Sequence, residues 1–233
     1  MRVLAIGAHP DDIEIHCAGT LVKCVKRGDE VIACHASNGD MGHVVIMPEE
    51  LGQIRCREAQ NSGAIAGIKV VWGGLHDLDV YDSKEAKDLL VKVIRDARPD
   101  FIITHGQNDY MCDHTAVAKL VLDAGFSASC PHYMPELGEA TKVCPVYLMC
   151  NSSGIDFTPT HYVDITEEFE TKRKMLACHE SQLVWLRDHD NIDVLESLEI
   201  SDRFYGKQCG VKYAEVFREY LASCRPTTKR LLP

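Results

Sequence analysis

The sequence predicts an α/β protein built on an open, mostly parallel sheet with helices on both faces. Short β-branched runs alternate with segments of helical period. Turn or breaker residues fall between them, and the order strand, helix, strand, helix recurs through the first half of the chain. That rhythm calls for parallel strands joined by right-handed crossovers.

The strands are expected at Arg2–Gly7, Glu30–His35, Lys69–Trp72, Phe101–Thr104 and Val146–Met149. The first helix is expected over Ile13–Arg27, where Ile15, Ala18, Leu21, Val22 and Val25 form an apolar stripe at spacings of three and four. Others are expected over Pro48–Ala66, Ser83–Ala97 and His114–Ala124; the third stops before Arg98-Pro99, because proline cannot continue a helix. The Pro-, Ser- and Gly-containing stretch Ser127–Thr141 reads as a surface loop. Helices are expected over Glu167–Gln182, near Asp193–Ser201 and over Val211–Ala222. No repeat or low-complexity linker divides the chain, so 1–233 is expected to be a single domain.

Composition narrows the partners. A formal charge of −10 with acids spread along the chain disfavours a nucleic-acid or anionic-membrane surface. No run approaches the roughly 20 apolar residues of a membrane span. The amino-terminal MRVLAIGAHPDD lacks the unbroken apolar core of a signal peptide, which points to the cytoplasm. The 11 cysteines are odd in number, irregularly spaced and free of any CxxC pair. Several lie in apolar segments (Cys17, Cys24, Cys34, Cys178), so reduced, mostly buried thiols are expected.

In sheets of this kind ligands bind beyond the carboxyl ends of the strands. The first strand delivers Ala8-His9-Pro10-Asp11-Asp12 there. A dinucleotide binder would carry a glycine fingerprint at that turn, and two carboxylates would repel a phosphate. A divalent cation suits the donors better. His9 and Asp12 can converge on one ion with Asp11 turned to the substrate side. The fourth strand supplies a third ligand, His114, from Asp109-Tyr110-Met111-Cys112-Asp113-His114. Such a site closes with a water whose pKa falls toward ~7. The bland reading is a helix start, with Asp11 or Asp12 as its cap. The second polar cluster at another strand end favours the metal.

His9-Pro10-Asp11-Asp12-Ile13-Glu14 is similar to the AHPDDxE signature of the LmbE-like (PIG-L) deacetylases, and Asn108-Asp109-Tyr110 with Asp113-His114 resembles their second signature. Asn38-Gly39-Asp40, Arg55 with Glu58, Asp77, Val163-Asp164-Ile165-Thr166, Lys172, His179-Glu180-Ser181-Gln182 and Tyr213-Ala214-Glu215 follow in family order. The resemblance implies a Rossmann-like fold and hydrolytic removal of an N-acetyl group from an amino sugar or related glycoconjugate. It implies zinc, or another divalent ion, on His9, Asp12 and His114. Asp11 would be the general base, Arg55 and Asp77 would contact substrate, and Asp109 and His179 would line the site. Asp109 and Asp113 have other readings, as caps of the following helix or as carboxylates that orient a zinc histidine. Homo-oligomers are common in the family, although no stretch of the sequence marks an interface. The rival readings are a metal-dependent esterase or phosphoesterase and a non-catalytic sugar-binding member.

Two positions depart from the pattern. Many members carry a histidine where this chain has Met111, and that histidine helps stabilise the oxyanion; a thioether donates no hydrogen bond. Either another group replaces it, with His43 and His179 as candidates, or the substrate geometry differs. His16 stands where glycine is frequent, and reads as a packing residue or, less often, as an extra ligand.

Overall fold

The computed structural model describes residues 1–223 and 225–233. Seven strands form one sheet: β1 (Arg2–Gly7), β2 (Glu30–Ser37), β3 (Lys69–Leu75), β4 (Phe101–His105), β5 (Val146–Met149), β6 (His161–Asp164) and β7 (Ala214–Glu219), in the spatial order β3-β2-β1-β4-β5-β7-β6. The first five run parallel, while β7 pairs antiparallel with both β5 and β6. The mostly parallel sheet covered on both faces is therefore as the sequence predicts.

Alternation along the strands assigns the two faces. Val3, Ala5, Val31, Ala33, Phe101 and Ile103 pack into one core. Leu4, Ile6, Ile32, Cys34 and Ile102 pack into the other. Successive side chains of a strand point to opposite faces, so a sheet buried on both sides needs a continuous apolar run.

The helices are α1 (Asp12–His16), α2 (Ala18–Lys26), α3 (Pro48–Ala66), α4 (Lys84–Ala97), α5 (Cys112–Ser127), α6 (Phe169–Ala177), α7 (Glu180–Asp190) and α8 (Val194–Cys209). Local signals fix several ends. Pro48 occupies the first turn of α3, and Gly67 ends it at φ 70°. Ser83 caps α4 by accepting from the backbone N–H of Ala86 at 3.1 Å. The segment after α5 is irregular apart from one 3-10 turn, Pro135–Leu137, in keeping with a surface loop.

Four expectations are corrected. The helix expected over Ile13–Arg27 breaks at Cys17, whose backbone (φ −148°, ψ 4°) is not helical. The break lets the N–H groups of Gly19 and Thr20 donate to Glu215 at 2.8 and 2.7 Å. The helix over Glu167–Gln182 is two helices, parted at Cys178-His179, and Cys178 is only partly buried. The helix near Asp193–Ser201 runs on to Cys209 before Gly210 ends it at φ 84°. Most importantly, Val211–Ala222 holds a strand, β7, in place of a helix. Its backbone groups are taken by β5 and β6, and β6 is a strand at a place where the sequence predicts none. Among the described residues no helix is long and apolar enough to cross a membrane.

Candidate metal centre

In the order β3-β2-β1-β4-β5 the direction of winding reverses between β1 and β4. Loops leaving these two strands diverge and open a crevice at their carboxyl ends. The turn after β1 carries His9, Asp11 and Asp12; β4 ends on His105, and its loop carries Asp109, Asp113 and His114. All seven belong to the buried or nearly buried part of the molecule.

Three donors converge. His9 Nδ1 lies 3.2 Å from His114 Nε2, His114 Nε2 lies 3.2 Å from Asp12 Oδ1, and His9 Nδ1 lies 3.5 Å from Asp12 Oδ2. These separations match the edge of a tetrahedron, about 3.3 Å, around an ion with ligand bonds of ~2.0–2.1 Å. His9, Asp12 and His114 thus form a group that can hold a metal ion.

Carboxylates behind each imidazole choose which nitrogen faces inward. Asp109 Oδ2 sits 2.9 Å from His114 Nδ1, leaving Nε2 for the shared point. Asp77 Oδ1 and Asp113 Oδ2 sit 3.1 and 3.2 Å from His9 Nε2, leaving Nδ1. Asp113 is fixed in turn by the N–H of Leu78, which donates to it at 2.8 Å. Such partners set the tautomer and raise the basicity of a metal-binding histidine. Burial alone would lower the pKa of His9, but Asp113, Asp12 and Asp77 outweigh it and hold the imidazole well above its ordinary value. Burial opposes ionisation of Asp12 as well, yet His114 and His105 keep its carboxyl well below the usual range. A cluster this rich in carboxylate demands positive charge.

Asp11 is built differently. It stands at φ 124°, ψ −26°, a region that side chains rarely adopt, at the cap of α1. Arg55 holds the turn: its Nη2 donates to the Pro10 carbonyl at 2.6 Å and its Nη1 to the Gly39 carbonyl at 2.9 Å. The Asp11 carboxylate lies 3.7 Å from the same guanidinium. Burial pushes Asp11 up to about 6, with Arg55 pulling the other way and Asp12 adding to the rise. A carboxyl tuned toward neutrality beside a cation site is suited to moving a proton.

The remaining expected site residues are placed as follows. Arg55 is 2% exposed, with its guanidinium on the two carbonyls and Asp11. Asp77 faces His9 and also accepts from the Met41 N–H at 3.3 Å. His179 is fully buried with Nε2 3.2 Å from Glu14. His43 Nδ1 accepts from the N–H groups of Val45 and Ile46 within its own loop. His16 is half-buried, its Nε2 3.4 Å from Ser152 Oγ, and burial pushes it down to about 3, so it is a neutral imidazole.

Two contributors escaped the sequence reading. His105, the last residue of β4, stacks on His114 with ring centroids 4.0 Å apart and lies 3.1 Å from Asp12 Oδ2. Its signal was available, since it ends the strand paired with β1. Glu14 lies in the first signature but had no role; it is buried, accepts from Ser62 Oγ at 2.6 Å and is pulled down to about 2, chiefly by His179 against burial.

The fold is thus that of an α/β protein with a Rossmann-like sheet, whose switch point carries a buried His-Asp-His group able to hold a metal ion. The family model for the GlcNAc-PI de-N-acetylases, PIG-L, matches residues 4–125, and the chain belongs to that family. It is similar to the diacetylchitobiose deacetylase of Thermococcus kodakarensis, with 28% identity over 228 residues, covering 93% of this chain and 82% of the relative. The N,N'-diacetylchitobiose deacetylase of Pyrococcus horikoshii, solved with its inhibitor MPG, superposes with a TM-score of 0.82 at 26% identity, over 94% of this chain and 83% of that one. GalB, the 4-carboxy-2-hydroxymuconate hydratase of Pseudomonas putida, superposes with a TM-score of 0.81 over 99% of this chain and 100% of that one. At 19% identity that likeness shows a shared fold.

Proposed function

We propose that the chain is a single-domain, zinc-dependent hydrolase that removes the acetyl group from an N-acetylated amino sugar. The observation that carries this reading is Asp11, a buried carboxyl held on a strained turn beside the His9–Asp12–His114 triad. A module that only bound sugar would have no use for that carboxyl. Membership of the family and the similarity to two diacetylchitobiose deacetylases support the N-acetyl sugar.

His9, Asp12 and His114 would hold the cation, and two imidazoles with one carboxylate suit zinc among the divalent ions. When bound there it supplies Lewis acidity toward an acyl oxygen and acidifies water. Asp11 takes the proton of the attacking water and returns it to the departing amine. Arg55 acts through Asp11 by fixing the turn that carries it. Asp109, Asp77 and Asp113 position the imidazoles. A phosphoester reading gains nothing from the site, because the Arg55 guanidinium is already engaged. The ten described cysteines are free, which supports the reducing cytoplasm as the compartment.

The test is acetate release from a panel of N-acetylated sugars by zinc-loaded protein beside Asp11→Asn. Release by the native chain, lowered ~10²–10⁴-fold in the variant with metal retained, is the expected result. Equal activity of the two would remove Asp11 from its role as base. Silence from the native chain across the panel would overturn the acetyl-sugar reading.

A further inference from the structure

A cavity of about 570 Å³ lies beside the metal centre, and the chemistry above does not use it. Its site-facing end is made by His16, one helical turn beyond Asp12, and by Tyr110, which follows Asp109. From there it runs between the loop at Asn151–Gly154 and α8. Leu186, Ile192, Val194, Leu198 and Phe204 give it apolar walls. Ser152, Ser197 and Ser201 supply hydroxyls. Asp202 and Glu215 are the acids that reach it.

The charge pattern is one-sided. Among the described residues no lysine or arginine lines the cavity. Lys172 is the cation behind it, fully buried, with its Nζ 2.8 Å from Asp202 Oδ2 and 2.8 Å from Glu215 Oε1. Glu215 is further committed to the N–H groups of Gly19 and Thr20. A phosphate or carboxylate entering the cavity would find no free positive charge, because Lys172 is already committed to Asp202 and Glu215. An uncharged group with apolar surface would be desolvated without that penalty, and pockets of ~300–1,000 Å³ are the usual size for small ligands.

We propose that this cavity receives the substituent on the N-acetylated sugar, and that the substituent is uncharged and mainly apolar, an alkyl or aryl aglycone. The proposal rests on the deacetylase reading and adds the specificity of that same site. The acetamido sugar sits at the triad, and its aglycone passes His16 and Tyr110 into the cavity.

The test compares kcat/KM for hexyl N-acetyl-β-glucosaminide, N,N'-diacetylchitobiose, N-acetylglucosamine and N-acetylglucosamine 1-phosphate, in the native chain and in Ser201→Phe. The phenyl ring of that variant is placed to fill the cavity from α8. The hexyl glycoside is expected to exceed the free sugar by at least ~10-fold through KM, and Ser201→Phe to bring the ratio of the two near 1. Equal values for the hexyl glycoside and the 1-phosphate would overturn the proposal, as would a ratio that Ser201→Phe leaves alone. Preference for the disaccharide, lost in the variant, would overturn the apolar assignment in favour of a second sugar. Binding of hexyl β-glucoside, which has no acetamido group, is followed in parallel by ligand-observed NMR. Binding that Ser201→Phe abolishes supports the cavity even if no substrate is deacetylated, so the two readings fail separately. Absence of binding overturns it.

Discussion

Gly39 and Arg55 are fitted to each other: a Cβ on Gly39 would lie 2.6 Å from Cζ of Arg55, whose guanidinium occupies the space a side chain would need. Gly39 also sits at φ 61°, where an L side chain is disfavoured. The Gly39→Ala variant is therefore expected to lose about 1–3 kcal/mol of stability. It should also displace Arg55 from the Pro10 carbonyl and lower kcat while sparing metal content. Thermal unfolding, metal analysis and single-substrate kinetics check this; an unchanged kcat would uncouple Arg55 from Asp11.

Asp109 bonds the ring of His114 from behind, so removing it should loosen that imidazole and free its tautomer. Asp109→Ala is expected to weaken metal binding ~10–100-fold. Competition with a chelator of known affinity measures the change. Asp109→Asn, which keeps the size of the side chain, should recover part of the loss.

Glu14 gives an acid dependence whose sign can be worked out. Its folded value, about 2, lies below its ordinary 4.5. Its contribution to stability is therefore complete above pH 4.5 and lost as the pH falls toward 2. Burial of His179 is outweighed by Glu14 and Asp11, which raise its pKa, so its own contribution is complete below 6.5 and fades as pH rises past its folded value. In Glu14→Gln, studied metal-free in chelator, the decline in denaturant midpoint between pH 4.5 and 2 should flatten. A decline as steep as in the native chain would assign acid lability elsewhere.

Lys172 pairs with two buried acids at once. Lys172→Met should cost about 3–5 kcal/mol near pH 7, because it strands Asp202 and Glu215 without a cation. Burial already pushes Asp202 up to about 7 from 3.8, so its protonated form favours folding below 3.8 and that support is lost as pH rises through 7. The variant should accordingly regain stability on acidification from pH 7 to 5, as denaturation midpoints would show. A deficit that stays constant with pH would mean that packing, not charge, carries the effect.

The parallel half of the sheet is legible in the sequence because its strands are buried on both faces and its helices carry clear stripes. Arg2–Gly7 and Val146–Met149 need no tertiary knowledge to be found. The carboxyl-terminal strand is different. Three of the six residues of Ala214–Glu219 are charged (Glu215, Arg218 and Glu219), and Glu215 points inward only because Lys172 and the start of α2 wait for it. Those partners lie more than 40 residues away, so no local window contains them. β6 has four residues and a half-exposed face, too short to stand out.

The centre follows the same logic. His9, Asp12 and His114 can be singled out because the chemistry of cations asks for such donors at strand ends. Which carboxylate faces which nitrogen cannot be so read: Asp77 and Asp109 back His9 and His114 because the loops after β3 and β4 fold over the same crevice. The service of Arg55 to a carbonyl pair depends on the loop holding Gly39. These relations are set by the packing of loops, which leaves no period in the sequence.

The donor triad draws His9 and Asp12 from one side of the winding reversal and His114 from the other, 105 positions after His9. An ion shared by them is a clasp across the two halves of the sheet. Its retention then reports the integrity of the β1–β4 seam as a whole, and any damage that parts the seam, however distant from the crevice, should be felt first as a loosened grip on the ion.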